Sequence, residues 1–407
     1  MKIAWISNAQ PYNFDESEKN FNGGWLEEQY ASLIKLNSNV EIFCFFPGVK
    51  IKSTNHISHN FIKFKRVRNN FFSINKAKSF FKFNLTQFKP DLIHIHGTEL
   101  PHCYAMSLAA TELNIPYVVS LQGIVSEIYK HVLTGMEPDE MFKKSLRDIF
   151  FGSSTIGLRR LYKKLSILEK KVVLNSNIVI GRTNWDKAWV TFNFKNKNYK
   201  NCNEPIRKEF LYSQKWELKN CKKYQIFLSQ SSTSIKGLHI LLYAIKYVIS
   251  YYPNISLIIA GKDYKKNTLK NILLRTSYEN TILKIIKNLK LQEHIKFLGP
   301  QNVNQMIDNL LQSNIFVQPS VIENSPNSLM EAVFLNVPSV AANVGGVSFL
   351  YSKFENVFLY QSDSALMLAN ELKNIFEKQS FLVNNYNTNN EYVGVNLMDI
   401  YININNK

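Results

Sequence analysis

"NIFVQPSVIENSPNSLMEAV", residues 314 to 333, runs from a short apolar stretch through a polar, turn-prone loop into a helical pattern. Ile315, Phe316 and Val317 form a brief apolar run of β-favouring residues bounded by turn formers, which predicts a buried strand. Ser325 is placed to cap the helix, and Pro326 suits its first position, because proline lacks an N–H that the first turn leaves unsatisfied anyway. Strand, loop and helix in that order make the repeating unit of a parallel α/β sheet.

The unit recurs along the chain. In the first half, "KIAWIS", "NVEIFCFFPG", "DLIHIHG", "PYVVSLQG" and "NIVIGRT" are short apolar runs that end in polar or glycine-containing loops. In the second half, "YQIFLSQ", "NISLIIAGKD", "HIKFLGP", "NIFVQPS" and "VPSVAANVGG" do the same. Helix-length segments lie between them at 24–37, 99–113, 237–251, 265–290, 303–312 and 326–336. The stretch 156–174 carries Ile156, Leu158, Leu161, Leu165, Leu168 and Val172 at helical spacing, which predicts one long amphipathic helix with a core-facing stripe. Such alternation predicts an α/β chain with two doubly wound, Rossmann-like domains, and 407 residues suffice for two cores. The polar stretch near 205 divides them into an N-terminal domain over 1–205 and a C-terminal domain over 206–385. The tail, 386–407, is Asn-rich and then apolar-periodic, and is expected to dock on a domain surface. Two such domains are expected to face each other across a cleft, with ligands at the C-terminal ends of the strands.

Composition narrows the setting. Cys44, Cys103, Cys202 and Cys221 show no C-x-x-C spacing, so neither a zinc site nor a disulfide framework is expected, and a reducing cytosol fits. The N-terminal apolar run turns polar after Ser7, too early for a signal peptide, and no stretch reaches the roughly 18 apolar residues of a membrane span. A cytoplasmic protein, soluble or peripheral at the inner membrane face, is expected. The net charge of +18 draws the chain toward something anionic: nucleic acid, lipid or a phosphorylated substrate. Residues 50–89 hold ten Lys and Arg and no Asp or Glu, with Phe61, Phe64, Phe71, Phe72, Phe80, Phe81, Phe83 and Phe88 interleaved. Two readings stand: a surface that meets lipid head groups, or phenylalanines packed in the core beneath solvated lysines.

The loops carry the chemistry. Amides from Asn327 to Leu329, at the helix start, would present N–H groups to an anion. Glu331, further in, suits vicinal hydroxyls such as those of ribose, and Glu323 could do the same for a sugar, unless both are merely solvated. In "SQSSTSIKGLHILLYAI", residues 229–245, Lys236 sits on a turn closed by Gly237, where it could neutralise a diphosphate leaving group. As a plain surface lysine it would oppose the helix dipole. Gly23 and Gly24, at another helix start, would let backbone approach a phosphate closely. His96 ends a strand and could face the cleft, although a lone histidine there is as readily a core residue; His94 is expected to be buried beside it.

Together these stretches resemble the family 4 glycosyltransferases, enzymes of GT-B fold that take a sugar from a nucleotide donor with retention of configuration. The resemblance rests on "NGGW", "DLIHIHG", "SIKG", "LIIAGK", "FLGP", "PSVIENSPNSLMEAV" and "GGV", in the family's order over most of the chain. "SLQGIVSEIYKH", "VIGRTNWDKA" and "CNEPIRKEF" further resemble a bacterial branch associated with surface polysaccharides such as capsule, O-antigen or exopolysaccharide. The resemblance implies Lys236, Glu323 and Glu331 as catalytic residues, Glu323 near the donor sugar and Glu331 on the ribose hydroxyls. It implies a donor site built from Gly23, Gly24, Leu298 (whose backbone would hold the base), Asn324, Ser325, Asn327, Ser328 and Leu329. Two positions depart from the pattern. Ser231 stands where many members carry a phosphate-binding arginine, and Arg182 is a candidate replacement if its loop faces the cleft. Gln122 stands where many carry a histidine, so acceptor binding falls to Gln122 or His96. The implied partners are a nucleoside-diphosphate sugar and a saccharide or lipid-linked saccharide acceptor, with an anionic membrane surface as a further candidate. No cofactor is expected, and no metal, because no paired-aspartate loop is present. A sugar-nucleotide epimerase of the same fold is the alternative enzyme; a nucleic-acid binder has no supporting module.

Overall fold

β1 (Lys2–Ile6) is buried at every position after the first, and parallel neighbours flank it on both sides. Burial on both faces explains why its sequence is apolar without alternation. The computed structural model describes residues 1–11, 24–37, 39–48, 53–56, 59–266, 268–381 and 390–405.

The first sheet adds β2 (Glu41–Pro47), β3 (Ser53–His56), β4 (His59–Phe64), β5 (Leu92–His96), β6 (Tyr117–Ser120), β7 (Ile178–Gly181) and β8 (Tyr199–Asn201). Its order is β3-β4-β2-β1-β5-β6-β7-β8, parallel throughout except for the β3–β4 pair. The second sheet contains β9 (Lys222–Leu228), β10 (Ser256–Ala260), β11 (Ile295–Gly299), β12 (Ser313–Gln318), β13 (Ser339–Ala342) and β14 (Val357–Tyr360). Its order, β11-β10-β9-β12-β13-β14, is parallel throughout. Each sheet is doubly wound, as the alternation predicts. Strand order reverses between β1 and β5 in the first sheet and between β9 and β12 in the second, and such reversals open a crevice at the strands' C-terminal ends.

The chain forms two compact units that no single cut separates. One comprises Met1–Ser126, Lys163–Arg207 and Asn387–Lys407; the other comprises Glu127–Tyr162 and Lys208–Tyr386. A boundary near 205 therefore coincides with only one of the crossings. The helix Thr155–Leu174 passes from one unit to the other, and its apolar stripe divides accordingly. Leu165, Leu168 and Val172 are buried, whereas Leu161, in the other half, is exposed.

Several elements differ from the sequence reading. β3, β4, β8 and β14 were not anticipated: they are three to six residues long and lie at or next to sheet edges. The single helix expected over 265–290 is two, Leu269–Leu273 and Ser277–Asn288. Thr276 is the reason, since its hydroxyl accepts from the Glu279 amide while the Glu279 carboxylate accepts from the Thr276 amide, a capping box that starts a helix. The phenylalanines of 50–89 divide between core and surface. Phe61, Phe64 and Phe81 lie in the core, while Phe71, Phe72 and Phe83 on the helix Phe71–Phe88 are exposed.

The C-terminal helix Asn390–Asn405 packs on Gly24–Leu36, and Leu397, Met398, Ile400 and Tyr401 join the core of the first unit. Tyr401 is its anchor: the hydroxyl accepts from the Trp5 indole N–H at 3.2 Å and lies 2.6 Å from Nδ1 of His94. Tyr401→Phe would strand two buried polar groups and should cost about 2 kcal/mol, measured as a shift of the urea midpoint with unchanged slope.

Candidate active site

In the second unit the loops after β9 and β12 are locked together by backbone. Gly237 has φ +69°, and a Cβ there would sit 1.8 Å from the Pro319 carbonyl oxygen. Next to that contact the Val321 amide donates to the Ile235 carbonyl at 2.9 Å. A third loop joins them, because the Gly346 amide donates to the Glu323 carbonyl at 3.1 Å. The lock stands at the reversal of strand order, where a crevice is expected.

Lys236 and Glu323 face each other across this lock, Nζ to Oε2 at 2.8 Å, both largely shielded from water. The sequence reading gave them separate duties, and the structure makes them one ion pair. Beyond Glu323 the helix Asn327–Phe334 begins, one residue later than the sequence suggests. Pro326 occupies the cap position and no side chain caps the turn, so Ser325 does not play that part. The Leu329 amide is also spoken for, since it donates to the Pro326 carbonyl at 3.1 Å, and the Leu329 side chain is buried in the core. The loop is held from below by Tyr351, whose hydroxyl donates to the Pro326 carbonyl, and by Ser328, whose hydroxyl donates to Gln318. Asn324 and Glu331 are buried in the same loop and helix. Asn327 is half-buried there. Leu298 lies near the end of edge strand β11, where its carbonyl accepts from the Gln301 amide group.

Ser231 is buried, and its hydroxyl lies 3.1 Å from that of Tyr264, which itself donates to the Ser231 carbonyl. It is thus part of a closed polar pair. Lys262, in the loop after β10, is held by both oxygens of the Glu279 carboxylate at 2.7 and 2.9 Å.

The remaining expected residues belong to the first unit. Arg182 is buried, with its guanidinium 2.6 Å from Glu204, so its charge is already matched. Gln122 donates to the other oxygen of Glu204 at 2.8 Å, which ties the two candidates to one carboxylate. His96 ends β5 at the strand-order reversal, buried between Trp5 and His94 at ring distances of 4.6 and 3.8 Å. Neither of its ring nitrogens has a hydrogen-bond partner among the described residues, and burial lowers its pKa to about 3. His94 beside it is fully buried and hydrogen-bonded to Tyr401 and Ser120. Gly24 opens its helix with φ +50° and open space where a Cβ would stand; Gly23 lies outside the described residues.

Glu204, Tyr264 and Glu279 were missed. The signal for Glu204 was the arginine itself, since a buried guanidinium requires a carboxylate and "CNEPIRK" supplies one. Tyr264 carries no comparable mark; Glu279 is legible only as the capping partner of Thr276, and it meets Lys262 because the fold brings the loop after β10 to that helix.

Residues 210–392 match the family described as Glycosyl transferases group 1. An uncharacterized glycosyltransferase of Methanocaldococcus jannaschii is 26% identical over 64% of this chain and 57% of its own length. TuaC, a Bacillus subtilis protein named for teichuronic acid biosynthesis, is 26% identical over 69% of this chain and 60% of its own. The chain thus spans less than two thirds of either relative. Among solved structures, sucrose-phosphate synthase of Thermosynechococcus elongatus superposes with a TM-score of 0.69 at 13% identity, over 99% of this chain and 98% of the other. Anabaena HepE in complex with UDP and glucose gives 0.57 at 15% over 100% and 97%, and the UDP-GlcNAc 2-epimerase of Methanocaldococcus jannaschii gives 0.55 at 13% over 99% and 100%. At these identities the likeness establishes the fold, which is two parallel-sheet Rossmann-like domains.

Gly237→Ala should destabilise the second unit by about 3 kcal/mol or more, because both the backbone angle and the Pro319 carbonyl oppose a side chain; thermal unfolding of the variant reads this. Acid should weaken the fold through its buried imidazoles. Between the ordinary value of 6.5 and the folded value of about 3, the unfolded chain binds a proton at His96 that the folded chain refuses. Stability is therefore complete above the higher value and is lost as pH falls below it. His96→Gln should flatten the slope of unfolding free energy between pH 4 and 6 by up to about 1.4 kcal/mol per pH unit, in urea titrations against wild type.

Proposed function

We propose that this protein is a retaining glycosyltransferase that moves a hexose-like sugar from a nucleoside diphosphate to a saccharide or lipid-linked saccharide, in synthesis of a bacterial surface polysaccharide. The observation that carries this reading is the Lys236–Glu323 pair at the strand-order reversal, beside the start of Asn327–Phe334. A doubly charged diphosphate competes well with one carboxylate for the lysine, and Glu323, once released, accepts hydrogen bonds from sugar hydroxyls. Lys236 then stabilises the charge that builds on the departing diphosphate, a contribution of about 3 kcal/mol for a preorganised group. Glu331 takes the ribose hydroxyls, the backbone at Leu298 the base, and the loop from Asn324 to Ser328 the phosphates. Ser231 is uncharged and Arg182 is paired with Glu204, so neither is assigned as a second cation for the phosphates. His96 and Gln122 serve the acceptor.

The family match over the second unit supports transfer, the likeness to TuaC supports a polysaccharide product, and that to a structure holding UDP and glucose supports a nucleotide-sugar donor. The acceptor is placed at the cytoplasmic face of a membrane. Exposed Phe71 and Phe72, and a cavity of about 570 Å³ lined by Lys65, Arg66, Arg68 and Phe72, support an anionic amphiphile on the first unit. No described helix is long and apolar enough to cross a bilayer. No metal takes part, so chelators should leave the rate unchanged.

The test is transfer of labelled sugar from a panel of nucleotide sugars to a lipid-linked saccharide extract. Lys236→Ala should lower kcat about 100-fold or more with a smaller change in donor affinity. Glu331→Ala should weaken donor binding roughly 10- to 100-fold. Unaltered transfer in both variants sinks the assignment, and a product that is an epimerised donor moves it to the alternative enzyme.

A further inference from the structure

The second unit carries an apolar surface that the donor site does not use. Phe142, Leu146, Ile149, Phe150 and Phe151 are all exposed within ten residues, Phe150 to 81%. A neighbouring segment adds Leu269, Ile272, Leu273 and Leu274, also exposed. Two hydrogen bonds hold the segments side by side: Arg147 donates to the Leu274 carbonyl at 3.2 Å, and the Ser277 amide donates to Asp148 at 2.8 Å. Contiguous exposed apolar surface of this extent marks an interaction site.

Charge says what covers it. Residues 141–162 contain Lys143, Lys144, Arg147, Arg159 and Arg160 but only one acid, Asp148, which is buried and consumed in capping. Beside the apolar surface lies a cavity of about 230 Å³ lined by Lys143, Lys144, Lys284, Ser145, Asn280 and Thr281. Asp139, at the surface, pairs with Lys143 and Lys284, which leaves Lys144 in surplus. Thr281, one of the lining residues, is buried, and its hydroxyl has no hydrogen-bond partner among the described residues.

We propose that this face docks on an anionic bilayer, with the apolar side chains in the interface and a lipid phosphate in the lysine-lined cavity beside them. Apolar insertion and headgroup attraction together are what stable peripheral binding requires. The site is independent of sugar transfer, so it stands or falls apart from the proposed reaction.

Flotation of the full chain with vesicles tests it, using phosphatidylcholine alone and phosphatidylcholine with phosphatidylglycerol. Wild type should float with the anionic vesicles only. Phe150→Ser with Phe151→Ser should lower partitioning about tenfold, Lys144→Gln about fivefold, and Thr281→Val about fivefold, with thermal unfolding near wild type because three of the four side chains are at the surface. Equal flotation on both vesicle types overturns the phosphate site. Wild-type flotation of the double Phe variant overturns the docking face. Loss of a concentration-dependent dimer in that variant, without vesicles, assigns the face to a second copy instead. Inorganic phosphate that stabilises wild type but not Thr281→Val, while leaving flotation unaltered, assigns the cavity to a soluble anion and likewise overturns the proposal.

Discussion

A carbonyl oxygen pressed against a glycine organises the second unit. Pro319 and Gly237 approach so closely that no other residue fits, and the approach brings two loops from adjacent central strands into one rigid piece. Lys236 is next to Gly237 and Glu323 is four residues from Pro319, so the backbone contact brings the two chain positions together, and their side chains meet at 2.8 Å. Held by the backbone, the pair is preorganised, and a ligand that separates the two charges finds both already in place.

The fold was legible because buried parallel strands read as apolar runs, and ten such runs mark most of the two sheets. What escaped were short strands at or near sheet edges, β3, β4, β8 and β14; in β8 and β14 half-exposed positions dilute the signal. In the candidate site, Lys236, Glu323 and Glu331 were singled out by residue type, loop position and resemblance, and the fold brings the first two together. Their pairing was not legible, since 87 residues separate Lys236 from Glu323 and a charge carries no periodicity. The same limit explains Ser231, whose closed pair with Tyr264 depends on a loop 33 residues away. Ser325 misled for a local reason, because a good capping residue before a proline lost the cap position to the proline itself.

The excess of 18 positive charges gives a false impression of where the cations are free. Lys236, Lys262 and Arg182, in the loops at the strands' C-terminal ends, are each matched by a carboxylate. Charge balance at the loops leaves the surplus on outer faces, around the Phe71–Phe88 helix and along 141–162, and there it is interleaved with exposed aromatic and aliphatic groups. A long-range field of this kind raises the encounter rate with anionic partners in general before any specific contact forms.

The helix Asn390–Asn405 belongs to the first unit although the whole of Lys208–Tyr386 precedes it in the chain. During synthesis the first sheet must therefore wait, its Trp5 and His94 without their tyrosine, until the second unit has been made. The later unit in sequence is the first that can be completed, and closure of the earlier one reports that translation has passed residue 401.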